Sequence, residues 1–228
     1  MFAETFSVYS LDLRNHGDSF HSSEMNYPVM ADDVKNFLHA QNIKNCHIIG
    51  HSMGGKIAIQ LARTSPEIIE QLIVADIAPV TYQHDYEHLL QPLLALELTS
   101  LESRKDVDKA LQAQIPENNL RAFLLQNLAK NDNDLNPGWR WKVNWKAIQQ
   151  EMPSLLGYEE WLPKERVATD TLFIRGEQSS FIAQAEREMI NHVFQNVQIK
   201  TLNNAGHWLQ AEQPQAFHHL VMEFLKTK

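Results

Sequence analysis

A mixed α/β fold, a mostly parallel sheet flanked by helices, is predicted by three features of the chain. Short apolar runs alternate with amphipathic stretches, the runs are too short and too apolar for exposed elements, and one long segment without strand signals interrupts the alternation. Residues 5–13 read as a strand rich in β-formers, running into the polar loop Asp12-Leu13-Arg14-Asn15-His16-Gly17. Val29, Val34, Phe37 and Leu38 then give an apolar stripe near helical spacing. Residues 46–49 are expected as a buried parallel strand, with a helix over 54–64 behind it and a second buried strand over 72–75. That order implies right-handed βαβ crossovers.

The regularity stops at Pro79. Helix-like segments over residues 84–98, 103–113 and 119–128 follow, separated by polar and Pro or Gly breaks. This stretch carries Trp139, Trp141, Trp145 and Trp161, which either fill its own core or lie over a substrate cleft. Strands over 171–174 and 197–202 and helices over 181–194 and 214–226 then resume the pattern, the last helix opening on Pro214. The expected domains are therefore a core of residues 1–78 and 164–228 and a helical cap insertion over 79–163.

Composition narrows the function. An apolar fraction of 43% with 21% charged residues is that of an ordinary globular protein. The net charge of -8 argues against a nucleic-acid or anionic-membrane surface, which needs clustered Lys and Arg. Small-molecule partners are expected instead. Cys46 is the only cysteine, which excludes an internal disulfide and a cysteine-cluster metal site. No basic leader with an apolar core and no membrane-length apolar run occurs, so a reducing, cytoplasmic setting is expected. No dinucleotide fingerprint or metal-ligand cluster occurs either, and no cofactor is implied.

Chemistry enters at Gly50-His51-Ser52-Met53-Gly54, between an apolar strand and the start of a helix. This pattern reads as a nucleophile elbow, a sharp strand-to-helix turn that exposes the Ser52 hydroxyl, with Gly50 and Gly54 flanking it where a Cβ would collide with neighbours. The helix that follows aims unpaired amides at an oxyanion forming beside the serine, and the Met53 N–H is the expected donor. A serine hydroxyl needs a neutral histidine to take its proton and an acid to orient that histidine. His207, in Asn204-Ala205-Gly206-His207-Trp208, follows the last strand, at the edge where parallel sheets gather functional loops. The acid is Asp76, leaving the strand over 72–75, or Glu177, in Arg175-Gly176-Glu177-Gln178-Ser179-Ser180, with Asp76 favoured. Either choice gives the chain order serine, acid, histidine.

Asp12-Leu13-Arg14-Asn15-His16-Gly17, Gly50-His51-Ser52-Met53-Gly54-Gly55-Lys56, Asp76-Ile77-Ala78-Pro79, Trp141-Lys142-Val143-Asn144 and Ala205-Gly206-His207-Trp208 together resemble the α/β-hydrolase superfamily, and within it the YbfF-type esterases. The resemblance spans the whole chain. It implies an α/β-hydrolase fold and hydrolysis of acyl esters or thioesters through an acyl-enzyme. Ser52 would be the nucleophile, His207 the base and acid, and the Met53 N–H part of the oxyanion hole. It also favours Asp76, because that group lacks the later aspartate found in most α/β-hydrolases. The loop from Asp12 to Gly17 is expected to be structural support.

The resemblance also implies two or three strands and a His-Gly loop ahead of the strand expected over residues 5–13. Without them the core is expected to be N-terminally incomplete, with a gap beside residues 46–49 and one oxyanion donor fewer. A truncated reading frame or a fragment of marginal stability follows as an expectation. Two other functions share the same residues: a non-catalytic binding protein with a hydrolase-like cleft, and other chemistries of the fold such as carbon–carbon bond hydrolysis or cofactor-free haloperoxidation.

Overall fold

The computed structural model describes residues 1–131, 138–158 and 166–226. In chain order the elements are α1 (Tyr27–Ala40), β1 (Cys46–His51), α2 (Met53–Thr64), β2 (Ile69–Ala75), α3 (Glu87–Ala95), α4 (Arg104–Leu111), α5 (Asn118–Leu125), β3 (Leu128–Asn131), β4 (Gly138–Trp141), α6 (Trp145–Leu156), β5 (Thr171–Gly176), α7 (Gln184–Val193), β6 (Val197–Leu202), α8 (Leu209–Glu212) and α9 (Pro214–Leu225). The chain divides into two compact units. The first comprises Met1–Ser10, Asn26–Tyr82 and Ser154–Lys228, and the second Leu11–Met25 and Gln83–Pro153.

The first unit is built on a four-stranded sheet in the order β1-β2-β5-β6, parallel throughout. Leu72, Ile73, Val74 and Ala75 of β2 are fully buried, as a continuous apolar run requires of a strand covered on both faces. Strand periodicity sends Ile73, Ala75, Leu172 and Ile174 to one face, where they pack with Leu202, Leu209, Phe217, Val221 and Phe224. Burying each large aliphatic side chain contributes about 1.5–3 kcal/mol, so this layer holds β2, β5 and α9 together. In α2, Ile57, Ala58, Ile59, Leu61 and Ala62 are all buried, which makes it a core helix rather than a surface one. It fits close to β2 because Gly55 has no side chain: a Cβ there would lie 2.5 Å from Ile77 Cγ2 and 3.1 Å from Val74 Cγ1.

The structure corrects two expectations in this unit. Residues 5–13 form no strand; a 3₁₀ turn over Phe2–Glu4 leads into irregular backbone. β-forming side chains are not enough for a strand without a partner row to complete its hydrogen bonds, and no strand among the described residues pairs with this segment. The strand expected as buried over residues 46–49 pairs, among the described residues, with β2 alone; it is an edge, in keeping with the gap expected beside it, and Ile49 is 43% exposed. Cys46 is accordingly half-buried, and burial raises its thiol pKa.

The second unit has its own core, of Leu93, Val107, Leu111, Ile115, Leu124, Leu125 and Leu128. Trp139, Trp141 and Trp145 pack against it, which accounts for three of the four tryptophans as core fillers; Trp161 lies outside the described residues. The unit is not purely helical. β3 and β4 pair antiparallel, with Leu128 opposite Trp141 and Lys130 opposite Trp139. Strands of four residues are too short for a period of two to stand out in sequence. The Asp12-to-Gly17 loop belongs here as a folded turn. Asn15, fully buried at φ 65°, takes the Asn144 backbone N–H on its carbonyl at 2.9 Å and the Asn144 side-chain amide on Oδ1 at 3.1 Å. Lys142 pairs with Asp18 at 2.7 Å. The Trp141-Lys142-Val143-Asn144 segment is thereby explained as a clamp on that loop.

Candidate active site

Ser52 sits between the end of β1 and the start of α2, with φ 52° and ψ −122°. A non-glycine residue there carries about 1–3 kcal/mol of backbone strain, which the surroundings must hold in place. They do so through the Ser52 N–H, which donates to Ala75 O at 3.0 Å, and the Ser52 carbonyl, which accepts from Gly55 N at 2.8 Å. The turn can be this tight because of Gly50: a Cβ there would lie 2.3 Å from Gly54 O. Gly54 differs from expectation, since a Cβ at that position meets nothing within 4 Å. The close approaches at the elbow are therefore those of Gly50 and Gly55.

His207 lies in the loop between β6 and α8, and its Nε2 is 3.1 Å from Ser52 Oγ. Its Nδ1 is 2.8 Å from Asp76 Oδ2. A carboxylate can only accept, so Nδ1 carries the proton and Nε2 is free to accept the serine hydroxyl hydrogen. Asp76 follows β2 at φ 50° and is fully buried. A buried carboxylate is costly unless its oxygens are satisfied. Here Oδ1 accepts from Gly176 N at 3.0 Å, while Oδ2 accepts from the Ser179 hydroxyl as well as from His207. Sheet register delivers these donors: Ala75 stands beside Ile174, and Asp76 N continues the ladder to Ile174 O at 2.8 Å.

Glu177 does not join this chain. It is exposed, and its Oε2 accepts from Asn204 N at 2.8 Å, steadying the turn before His207. Ser52, His207 and Asp76 are thus brought together, whereas Glu177 turns away. Gly176 also lets the histidine loop approach, because a Cβ there would lie 2.2 Å from Gly206 O. The Met53 N–H belongs to the first turn of α2, whose amides lack acceptors within the helix.

Three further groups that sequence reading missed lie against His207 or Asp76. Ser179 lies in the same loop as Glu177, and nothing local in the sequence marks its hydroxyl as a partner for Asp76. The Phe181 ring stacks on the imidazole, with centroids 4.2 Å apart and planes inclined by 26°. His51 donates from Nε2 to His207 O at 2.7 Å, its ring 4.7 Å from that of His207. Burial lowers the His51 pKa, against the opposing pull of that hydrogen bond, so this second imidazole stays neutral near pH 7 and does not set a like charge beside His207. Among the described residues no cluster of His, Cys, Asp or Glu is arranged to hold a metal ion, and no helix is long and apolar enough to cross a membrane.

Residues 2–214 match the family described as the alpha/beta hydrolase fold. A putative esterase/lipase of Haemophilus influenzae is 35% identical over 225 residues, covering 98% of this chain and 75% of that protein. Esterase YbfF of Escherichia coli is 28% identical over 220 residues, covering 96% of this chain and 82% of the relative. The solved structure of a marine microorganism esterase superposes with a TM-score of 0.89 at 33% identity, over 93% of this chain and 82% of that one. The parallel sheet, the elbow geometry and these matches agree: the chain belongs to the α/β-hydrolase family.

Proposed function

We propose that the protein is a serine hydrolase that cleaves acyl esters or thioesters through an acyl-enzyme intermediate. The observation that carries this reading is the unbroken hydrogen-bond chain from Ser52 Oγ through His207 to Asp76, at 3.1 and 2.8 Å. Ser52 Oγ attacks the acyl carbonyl as His207 Nε2 takes its proton, and Asp76 holds the imidazolium in place. The carbonyl electron pair moves onto oxygen, where the Met53 N–H and the positive end of α2 stabilise it. Collapse expels the alcohol or thiol, protonated by His207, and a water activated by the same imidazole then releases the acid. The esterase names of its relatives support an ester substrate, and the neutral His51 supports a site that tolerates a transient positive charge on His207.

The test is intact-mass labelling by a fluorophosphonate, with turnover of p-nitrophenyl butyrate measured alongside. One adduct on the protein, absent from Ser52→Ala together with all turnover above background, is the expected result. A Ser52→Ala variant that still turns over ester rejects the reading. A folded wild type that binds ester without adduct or turnover favours the binding-protein alternative.

A further inference from the structure

Tyr82 stands outside the Ser52–His207–Asp76 chain, yet its phenol joins the two loops that hold that chain. The Tyr82 hydroxyl accepts from Ala78 N at 2.9 Å and donates to Phe181 O at 2.6 Å. Ala78 lies two residues past Asp76, on the loop leaving β2. Phe181 lies on the loop leaving β5 and is the residue whose ring stacks on His207. Among side chains, few besides a hydroxyl can accept from an amide and donate to a carbonyl at one point. The same loop is tied to the acid, because Phe181 N donates to Ser179 Oγ at 3.3 Å and Ser179 donates to Asp76.

Tyr82 is itself held from the elbow side. Its N–H donates to Leu156 O at 3.0 Å, and the same carbonyl accepts from Lys56 Nζ at 3.0 Å. Lys56 Nζ also sits 5.0 Å from the centre of the Tyr82 ring. Lys56 lies one helical turn after Ser52, on the helix that the elbow starts. A path of direct contacts thus leads from α2 through Lys56 and Tyr82 to Phe181 and the His207 ring.

We propose that Tyr82 is a positioning residue for His207, a proposal that rests on the hydrolase reading above: its phenol fixes the Phe181 loop so that the stacked ring keeps the imidazole aligned with both Asp76 and Ser52. Two hydrogen bonds to the imidazole edge restrain it in its plane. A flat neighbour 4.2 Å away restrains it against tilting, which the edge contacts do poorly. The restraint matters most once His207 carries the serine proton, because an aromatic face attracts a cation. Loss of the phenol is therefore felt in turnover rather than in substrate binding.

The experiment compares wild type with Tyr82→Phe, Tyr82→Leu and Phe181→Leu. Tyr82→Phe keeps the ring against Lys56 and Phe181 and removes the hydroxyl that makes the bridge. Turnover of p-nitrophenyl butyrate gives kcat and KM, and NMR of protein labelled with ¹⁵N-histidine follows the His207 Nδ1–H resonance, assigned by its loss in His207→Gln. We expect Tyr82→Phe to melt within a few degrees of wild type, to lose about tenfold in kcat with KM nearly unchanged, and to show that ring proton broadened by exchange, as in Phe181→Leu. A Tyr82→Phe or Phe181→Leu variant with an unaltered Nδ1–H resonance overturns the proposal, whether or not ester is turned over. So does a loss of kcat confined to Tyr82→Leu, which would make Tyr82 a packing residue alone. A perturbed resonance in a protein whose Ser52 takes no fluorophosphonate supports the positioning role while sinking the hydrolase reading.

Discussion

Two buried ionisable groups, Asp76 and Lys56, lie in the same unit and are treated in opposite ways. Asp76 is fully buried and surrounded by donors: a backbone amide, a hydroxyl and an imidazole N–H all point at its carboxylate. Lys56 is 2% exposed, and its Nζ donates to Leu156 O at 3.0 Å and Gly157 O at 3.1 Å beneath the faces of Tyr27, Tyr82 and Tyr158. Burial lowers its pKa to about 7. The difference teaches that burial sets the cost of a charge while the neighbours decide whether the charge is kept. Three donors satisfy the two carboxyl oxygens of Asp76. The carbonyls and ring faces around Lys56 favour an ammonium but do not offset its burial, and an amine still has two hydrogens for the two carbonyls.

The comparison can be broken most sharply at its acidic side. Asp76→Asn keeps the volume but offers Nδ1 a group that can present either a donor or an acceptor, so the imidazole tautomer is no longer dictated. We expect kcat to fall about a thousand- to ten-thousand-fold with the protein still folded. In the same assay Glu177→Gln, whose carboxylate serves only the Asn204 amide, is expected to stay within about twofold of wild type, and a larger loss there would return Glu177 to the site.

The basic side is tested by stability rather than by activity. The unfolded chain binds the lysine proton up to about 10.5, whereas the folded chain releases it near 7. Between those values the unfolded state holds more protons, so stability rises with pH across that window and the cost is greatest below it. Measured by urea unfolding, wild type is expected to gain about 2 kcal/mol between pH 7 and pH 9 relative to Lys56→Met. A pH-independent difference between the two proteins would mean that Lys56 is not a strained cation. A smaller loss of activity than at Asp76 is expected at Ser179. Removing its hydroxyl leaves Asp76 with two of its donors, and Ser179→Ala is expected to cost about 1–2 kcal/mol of stability and about tenfold in kcat, read by the same two assays.

The elbow was legible in sequence because it is a local object. The glycine-flanked serine, the apolar run before it and the helix after it are written in one short segment, whereas the close approach of Gly55 to Ile77 and the Ala75 carbonyl that holds Ser52 come from β2 and the loop after it. The choice between Asp76 and Glu177 was not local. Both follow strands and both precede His207, so the sequence favours Asp76 without showing what either carboxylate meets. What separates them is that β2 lies beside β5, which sets Asp76 against Gly176 N and Ser179 Oγ and faces it to His207, while Glu177 turns toward Asn204. Lys56 falls on the same side of this division, since no pattern in the sequence marks a buried lysine or the tyrosines that receive it.

By itself, then, the sequence determined the alternation of strands and helices, the place of the serine turn and the histidine after the last strand, since each depends on residues close together in the chain. Tertiary structure alone decided that residues 5–13 stay out of the sheet, and it alone supplied the donors that gather at the favoured Asp76 and the partner that draws Glu177 away. Each of these turns on a hydrogen-bond partner supplied from far along the chain. A backbone or carboxylate group carries no signal in its own sequence of whether that partner arrives.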